Sequence, residues 1–218
     1  MHTIFPTPRQ IVTCVFLLLA TTSVWATPPT PSSHLKEAFQ RDVERIKQGI
    51  NDPQVFKSEI EIIAQEGDPI AQFLFGVQIM RDRHQEALVW LRKAAKAGCA
   101  GASGVVGGAL LAENNPEGLT WLQQAADGGD ANAMMMIAKL YESGMMKHKR
   151  SLPYAVAWAE LAAQQSYSRG LSFALPGFID ELSKRLSTEE KSEYRKMKLS
   201  LTEKHPMVPF YLCGQSLP

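Results

Sequence analysis

Cysteine is scarce in this sequence, which has three cysteines in 218 residues. A small fold held together by many disulfides is therefore excluded, and burial of apolar side chains must stabilise the chain. Cys14 lies in an N-terminal apolar stretch, which leaves Cys99 and Cys213 in the rest of the chain. These two could form a disulfide in an oxidising compartment. Two free thiols are the alternative, because sequence does not show whether the two side chains are close.

An excess of charge of one sign is also missing, since 23 basic residues stand against 22 acidic ones. This balance gives no electrostatic reason to expect a nucleic acid or an anionic membrane as partner. No two histidines after the N-terminal segment lie three or four residues apart, and none is next to a cysteine; they are His34, His84, His148 and His205. Helical metal sites usually need such pairs. We therefore expect neither a metal nor a cofactor.

No segment after residue 26 is long and apolar enough to cross a membrane. Arg9 precedes a short apolar stretch from Ile11 to Ala20, and Val24 and Ala26 suit the −3 and −1 positions of a signal-peptidase site. Residues 1–26 are therefore predicted to be a signal peptide, and the chain to be exported to the periplasm or secreted. The alternative is an uncleaved anchor, but the stretch is short for the ~30 Å of a bilayer core. After cleavage we expect no stable membrane span.

A repeated pattern is present between residues 64 and 166. Trp90, Trp121 and Trp158 each begin a similar six-residue segment, at spacings of 31 (121 − 90) and 37 (158 − 121) residues. A small residue stands three positions before each Trp. Repeats of this length are typical of solenoids built from helix pairs, which must stack to bury their apolar faces. We expect each Trp to fill the gap between pairs.

Local signals divide the chain further. Asp52, Asp68 and Asp130 are predicted N-caps of helices, and Cys99 occupies the same position in the middle repeat. The predicted segments are a leader and degenerate helical cap (27–66), three helix-pair repeats (67–166), C-terminal cap helices (167–203) and an irregular tail (204–218).

These residues resemble the SEL-1-like repeats of the tetratricopeptide superfamily. The match to the first helix of that repeat comprises Ala133, Ile137, Ala138, Leu140, Tyr141 and Gly144. The match to its second helix comprises Ala87, Leu88, Trp90, Ala94, Ala95 and Gly98. The resemblance implies an all-α fold, a right-handed α-solenoid of stacked antiparallel helix pairs. It also implies a protein–protein interaction adaptor or scaffold, which in bacteria often works at the envelope.

Two other functions remain as alternatives. One is a structural part of an envelope machine, such as a flagellar motor. The other is an enzyme that binds or hydrolyses β-lactams, as implied by a branch of the family that carries a cysteine pair in each repeat, which this sequence lacks. Gly98, Gly101, Gly104 and Gly107 do not have the spacing of a dinucleotide-binding loop, and Ser103 is not preceded by a strand. We therefore expect no catalytic residue.

The predicted partner site lies on the concave side, on positions that the repeat leaves variable. These positions are Phe73, Met80, Met134, Met135 and Lys139. Phe and Met would provide apolar contact with a protein or peptide, and Lys139 would orient it. The basic run from Lys147 to Arg150 is interpreted as a solvated loop, with a contact to an acidic partner as the alternative. The partner's identity and the oligomeric state stay open.

Overall fold

A computed structural model describes residues 32–48, 52–145, 150–167, 175–206 and 213 of the chain. The predicted signal peptide and most of the leader lie outside these residues, as does most of the basic run. The predicted cleavage site and the basic contact therefore remain predictions.

Every regular element in the described residues is an α-helix, which confirms the all-α class. The ten helices are α1 (Ser33–Lys47), α2 (Pro53–Gln65), α3 (Pro69–Ile79), α4 (His84–Lys96), α5 (Ala100–Ala112), α6 (Glu117–Asp127), α7 (Ala131–Ser143), α8 (Leu152–Tyr167), α9 (Leu175–Lys184) and α10 (Thr188–Lys204). None of these helices combines the length and apolar character needed to cross a membrane.

The helices stack in pairs along the chain. The most extensive contacts lie within the pairs α3–α4, α5–α6 and α7–α8, and each pair packs on the next through α4–α5 and α6–α7. The first helices α5 and α7 also touch directly. Beyond the third pair, α9 and α10 both pack on α8. This is the solenoid of helix pairs that the repeat predicts.

The turns between successive pairs share one geometry. Gly67, Gly98 and Gly129 take φ values of 102°, 94° and 82°, a region that glycine enters without steric cost. The residue after each glycine donates its N–H to a carbonyl five positions back, which closes the end of the preceding helix. Asp68 and Asp130 then accept backbone N–H bonds at the start of the next helix. The predicted caps are thus present.

Only one of the three repeat tryptophans is buried. Trp158 is 4% exposed, whereas Trp90 and Trp121 are partly buried. Trp90 packs edge-on against Phe75, with ring centroids 5.6 Å apart. The Trp121 indole N–H instead donates to Glu117 Oε1 over 2.9 Å. Trp90 and Trp121 both pack against the core of the first half of the solenoid, but each keeps one side at the surface.

The end of the chain returns to the solenoid at two points. His205 follows α10 and lies 2% exposed against Trp158, with 5.0 Å between ring centroids. Cys213 forms a disulfide with Cys99 at the start of α5, and the two Cα atoms are 4.0 Å apart. Both cysteines are fully buried in the core of the first half of the solenoid. The bond thus connects residues 114 positions apart in sequence.

Candidate partner-binding groove

An open groove of about 450 Å³ runs across the first helices of the three repeats. We call it the A-helix groove. Its lining comprises Phe73, Met80, His84, Gly101, Gly104, Val105, Gly108, Ala109, Asp130, Asn132, Ala133 and Met136. The volume lies in the usual range for ligand sites, roughly 300–1,000 Å³.

The floor of the groove is one face of α5. Gly101, Gly104, Val105 and Gly108 recur at intervals of three and four residues, which places them on the same side of a helix. Because three of the four have no side chain, the backbone of α5 lies open to the groove. A partner side chain could therefore approach that backbone closely.

Glycines of α5 that face the groove differ from the one that faces α6. A methyl group added at Gly107 would lie 2.9 Å from the Gly118 carbonyl oxygen and from Leu122, closer than real Cβ contacts. At Gly104 it would lie 3.5 Å from the Asp130 carboxyl group, an ordinary van der Waals distance. Packing within the chain thus requires a glycine at position 107 but not at position 104.

The walls of the groove are mainly apolar. Phe73 and Met80 lie on the α3 side and Met136 on the α7 side. Phe73 is 9% exposed, so most of its ring is already packed in the core. A methyl group added at Gly108 would lie 3.0 Å from the Met136 methyl carbon, which places that thioether next to the floor. Methionine adapts readily to partners of different shape.

Few polar groups line the groove. Asp130 Oδ1 accepts the N–H of Ala133 over 2.7 Å, so part of its hydrogen-bonding capacity serves the helix cap. His84 Nε2 lies 3.3 Å from Glu113 Oε1, which links the start of α4 to the end of α5. The Asn132 side chain is exposed. This lining offers apolar contact together with a few hydrogen bonds to a bound segment.

The five predicted partner residues have different outcomes. Phe73 and Met80 line the groove. Met134 is fully buried in the core of the second half, so its assignment to a partner surface is wrong. Neither Met135 nor Lys139 lines the groove. Met135 is partly buried against that same core, and Lys139 is exposed.

Met136 lines the groove, although it was not among the predicted partner residues. Asn132 and Met136 each stand two residues from Met134, about 200° around an α-helix. A buried Met134 therefore directs both of them to the opposite side. The repeat pattern marks Ala133 and Ile137 as inward-facing positions, but it does not show on which side of them the exposed stripe continues.

Two other features bear on the chemistry. Among the described residues, no group of three or more His, Cys, Asp or Glu side chains could hold a metal ion. Ser103 is fully buried, and its hydroxyl donates to the Cys99 carbonyl oxygen over 3.4 Å. It therefore belongs to the packing at the start of α5.

A separate cavity of about 460 Å³ lies where α7, α8 and α10 meet. Tyr141 and Tyr154 stack there with ring centroids 4.7 Å apart, and Glu190 and Glu193 lie on its edge. Burial, followed by the neighbouring Tyr154, raises the pKa of Tyr141. This phenol therefore stays protonated and acts as a packing group at neutral pH.

The family model of the Sel1 repeat matches residues 73–99, 106–130 and 131–167. This chain contains three Sel1 repeats. The A-helix groove takes residues from all three matched segments, and Gly101, Gly104 and Val105 lie between the first and the second of them. Sel1-repeat proteins generally mediate protein–protein interactions, and the fold is typically a non-catalytic scaffold. A search of curated proteins finds no match.

Solved Sel1-repeat structures share the fold. A protective antigen of uropathogenic Escherichia coli strains that displays an SLR fold superposes with a TM-score of 0.65 at 21% identity, over 79% of this chain and 37% of the antigen. The present chain thus spans little more than a third of that relative. A Sel1 repeat protein from Oxalobacter formigenes superposes with a TM-score of 0.57 at 20% identity, over 88% of this chain and 82% of that protein.

Proposed function

We propose that this chain is an exported interaction module whose A-helix groove binds an apolar segment of a protein partner. The observation that carries the proposal is the glycine floor of the groove. Gly104 faces the groove although packing within the chain leaves room for a side chain there. A residue with higher helix propensity at this position would stabilise α5. Glycine instead leaves space in the groove for a partner side chain.

The proposed compartment rests on two features. Residues 1–26 have the composition of a signal peptide, and the Cys99–Cys213 disulfide suits an oxidising environment such as the periplasm or the extracellular space. Exported protein should therefore begin at Thr27. N-terminal sequencing of that protein tests the cleavage site, and retention of the full-length chain in the cytoplasm would reject export.

A position-specific cross-linking experiment tests the groove. A photoreactive amino acid replaces Asn132, which lines the groove, or Val89, which is 51% exposed on α4 and does not line it. We expect a discrete cross-linked partner from position 132 and none from position 89 in envelope extracts. Equal products from both positions would show that the groove is not the binding surface.

Filling the groove provides a second test. Gly104→Ala and Gly108→Ala together add two methyl groups to the floor of the groove. The methyl group at position 104 makes only ordinary van der Waals contact, and the one at position 108 lies against the flexible end of the Met136 side chain. We expect the product formed from position 132 to decrease severalfold, while the circular dichroism spectrum stays helical. An unchanged yield would mean that the partner does not reach the floor.

A further inference from the structure

The helix that forms the floor of the groove has little intrinsic helical stability. Four of the 13 residues of α5 are glycine, none is charged, and two are β-branched valines. Glycine is the least favourable helix residue after proline. Without charged side chains, α5 also lacks the ion pairs one turn apart that support exposed helices. Its position therefore depends strongly on contacts from outside the helix.

The start of α5 lacks the cap that its two counterparts have. Asp68 accepts the N–H groups of Ile70 and Ala71, both over 2.8 Å, at the start of α3. Asp130 caps α7 in the same way. Cys99 stands at the equivalent position 31 residues after Asp68 and before Asp130 (99 − 68 and 130 − 99), with extended backbone and no side-chain cap bond.

A covalent bond takes the place of this missing cap. The Cys99 sulfur is bonded to Cys213, and both residues are fully buried. The bond attaches the residue that begins α5 to the C-terminal segment, which also contacts the solenoid through His205. Cys99 is the N-cap residue of α5, where the first backbone N–H groups of the helix have no partner within it. A covalent bond at this residue therefore limits unwinding from the N-terminal end of α5.

We propose that oxidation of Cys99 and Cys213 controls the A-helix groove, because the disulfide holds α5, and hence the groove floor, in its binding position. In the dithiol form the N-terminal half of α5 opens more often, and the groove loses its floor. The partner site is thus completed only in an oxidising compartment. This inference rests on the proposed function of the groove.

The oxidation is a thiol–disulfide exchange. The thiolate of one cysteine attacks the disulfide of an oxidant, which can be a dithiol–disulfide oxidoreductase or oxidised glutathione, and forms a mixed disulfide. The second cysteine displaces the oxidant's remaining sulfur. The chain loses two electrons and two protons, and the oxidant's disulfide becomes two thiols.

Hydrogen exchange on three forms of the chain tests the proposal. The first is the oxidised natural chain. The second is Cys99→Ala/Cys213→Ala, which has neither bond nor cap. The third is Cys99→Asp/Cys213→Ala, which restores the aspartate cap of the flanking repeats without a disulfide. We expect amides of α5 to exchange about tenfold or more faster in the second form, with α7 little changed, because local openings expose amides independently.

The third form separates a local effect from general stabilisation. An aspartate cap acts only on the start of its own helix, so it should restore most of the protection of α5. If α5 is equally protected in the first two forms, the disulfide does not hold it. If all helices exchange faster and the aspartate restores nothing, the bond acts by closing a long loop. Either result overturns the proposal.

Methyl NMR reports on the groove itself. With carbon-13 labelled methionine methyl groups, we expect the Met136 signal to shift or broaden in the double-alanine form, because its methyl group lies beside Gly108. The chemical shift of Met134, which is buried in the core of the second half of the solenoid, should not change. Unchanged Met136 together with changed Met134 would contradict control of the groove. Neither measurement uses a partner, so a failed cross-link at Asn132 would reject the proposed function without affecting this result.

Discussion

The two glycines at positions 104 and 107 of α5 should respond in opposite ways to the same substitution. Both lie inside one helix, and replacement of either by alanine adds the same methyl group. In an exposed helix interior, Gly→Ala adds up to about 1 kcal/mol of stability. At position 104 the new methyl group makes only ordinary contact with Asp130. We therefore expect Gly104→Ala to raise the free energy of unfolding by about 1 kcal/mol.

At position 107 the same gain is opposed by overpacking. The methyl group would lie 2.9 Å from the Gly118 carbonyl oxygen and 2.9 Å from the backbone nitrogen of Leu122. Backbone atoms cannot rotate away, so α5 and α6 must separate, which typically costs about 1–3 kcal/mol. After the propensity gain, Gly107→Ala should lower the free energy of unfolding by up to about 2 kcal/mol. Gly118→Ala, whose methyl group would lie 2.6 Å from the Gly107 oxygen, should be at least as harmful.

Urea unfolding of the oxidised chain, followed by circular dichroism, measures these differences. For a chain of this size, 1 kcal/mol corresponds to a shift of about 2–4 °C in melting temperature. The melting temperatures of the two variants should therefore differ by several degrees. The slope of the free energy of unfolding against urea concentration should be similar for both. If Gly107→Ala proves as stable as Gly104→Ala, α5 and α6 do not approach as closely as described. Gly104→Ala should also weaken partner binding, so its effects on stability and on binding should have opposite signs.

Three further predictions follow from burial and from the disulfide. Thiol titration of the unfolded, unreduced natural chain should find no free thiol at Cys99 or Cys213, and two free thiols at these positions would contradict the bond. Met134→Ala should lower the free energy of unfolding by about 2–5 kcal/mol because Met134 is fully buried. An equal decrease for Met135→Ala, at a partly buried position, would contradict the assignment of Met134 to the core. Burial lowers the pKa of His205 below its ordinary value of 6.5, so the unfolded chain binds more protons as the pH falls below about 6.5. When the pH is lowered from 7.5 to 5.5, the free energy of unfolding should therefore decrease more for the natural chain than for His205→Gln. Urea unfolding at the two pH values measures this difference, and equal decreases for both chains would contradict a buried neutral imidazole.

Local signals in the sequence were sufficient to predict the helices. Asp68 and Asp130 cap helices where the pattern predicts, and Gly98 takes the left-handed conformation that ends a helix. These features depend on hydrogen bonds within a few residues and on steric limits of single residues. Stacking follows from the repeat itself, since no helix pair can bury its apolar face alone. The fold class could therefore be predicted from one sequence.

The orientation of side chains within that fold was decided by tertiary structure. Two methionines that stand two residues apart on α7 have opposite environments, because Met134 faces the core and Met136 faces the groove. Trp158 is buried where the end of the chain returns as His205, whereas Trp121, in the same repeat position, keeps contact with solvent. Such differences depend on which distant segment packs against each helix. A repeat gives equivalent residues the same local signal, so only the packing of the complete chain distinguishes a core position from a binding position.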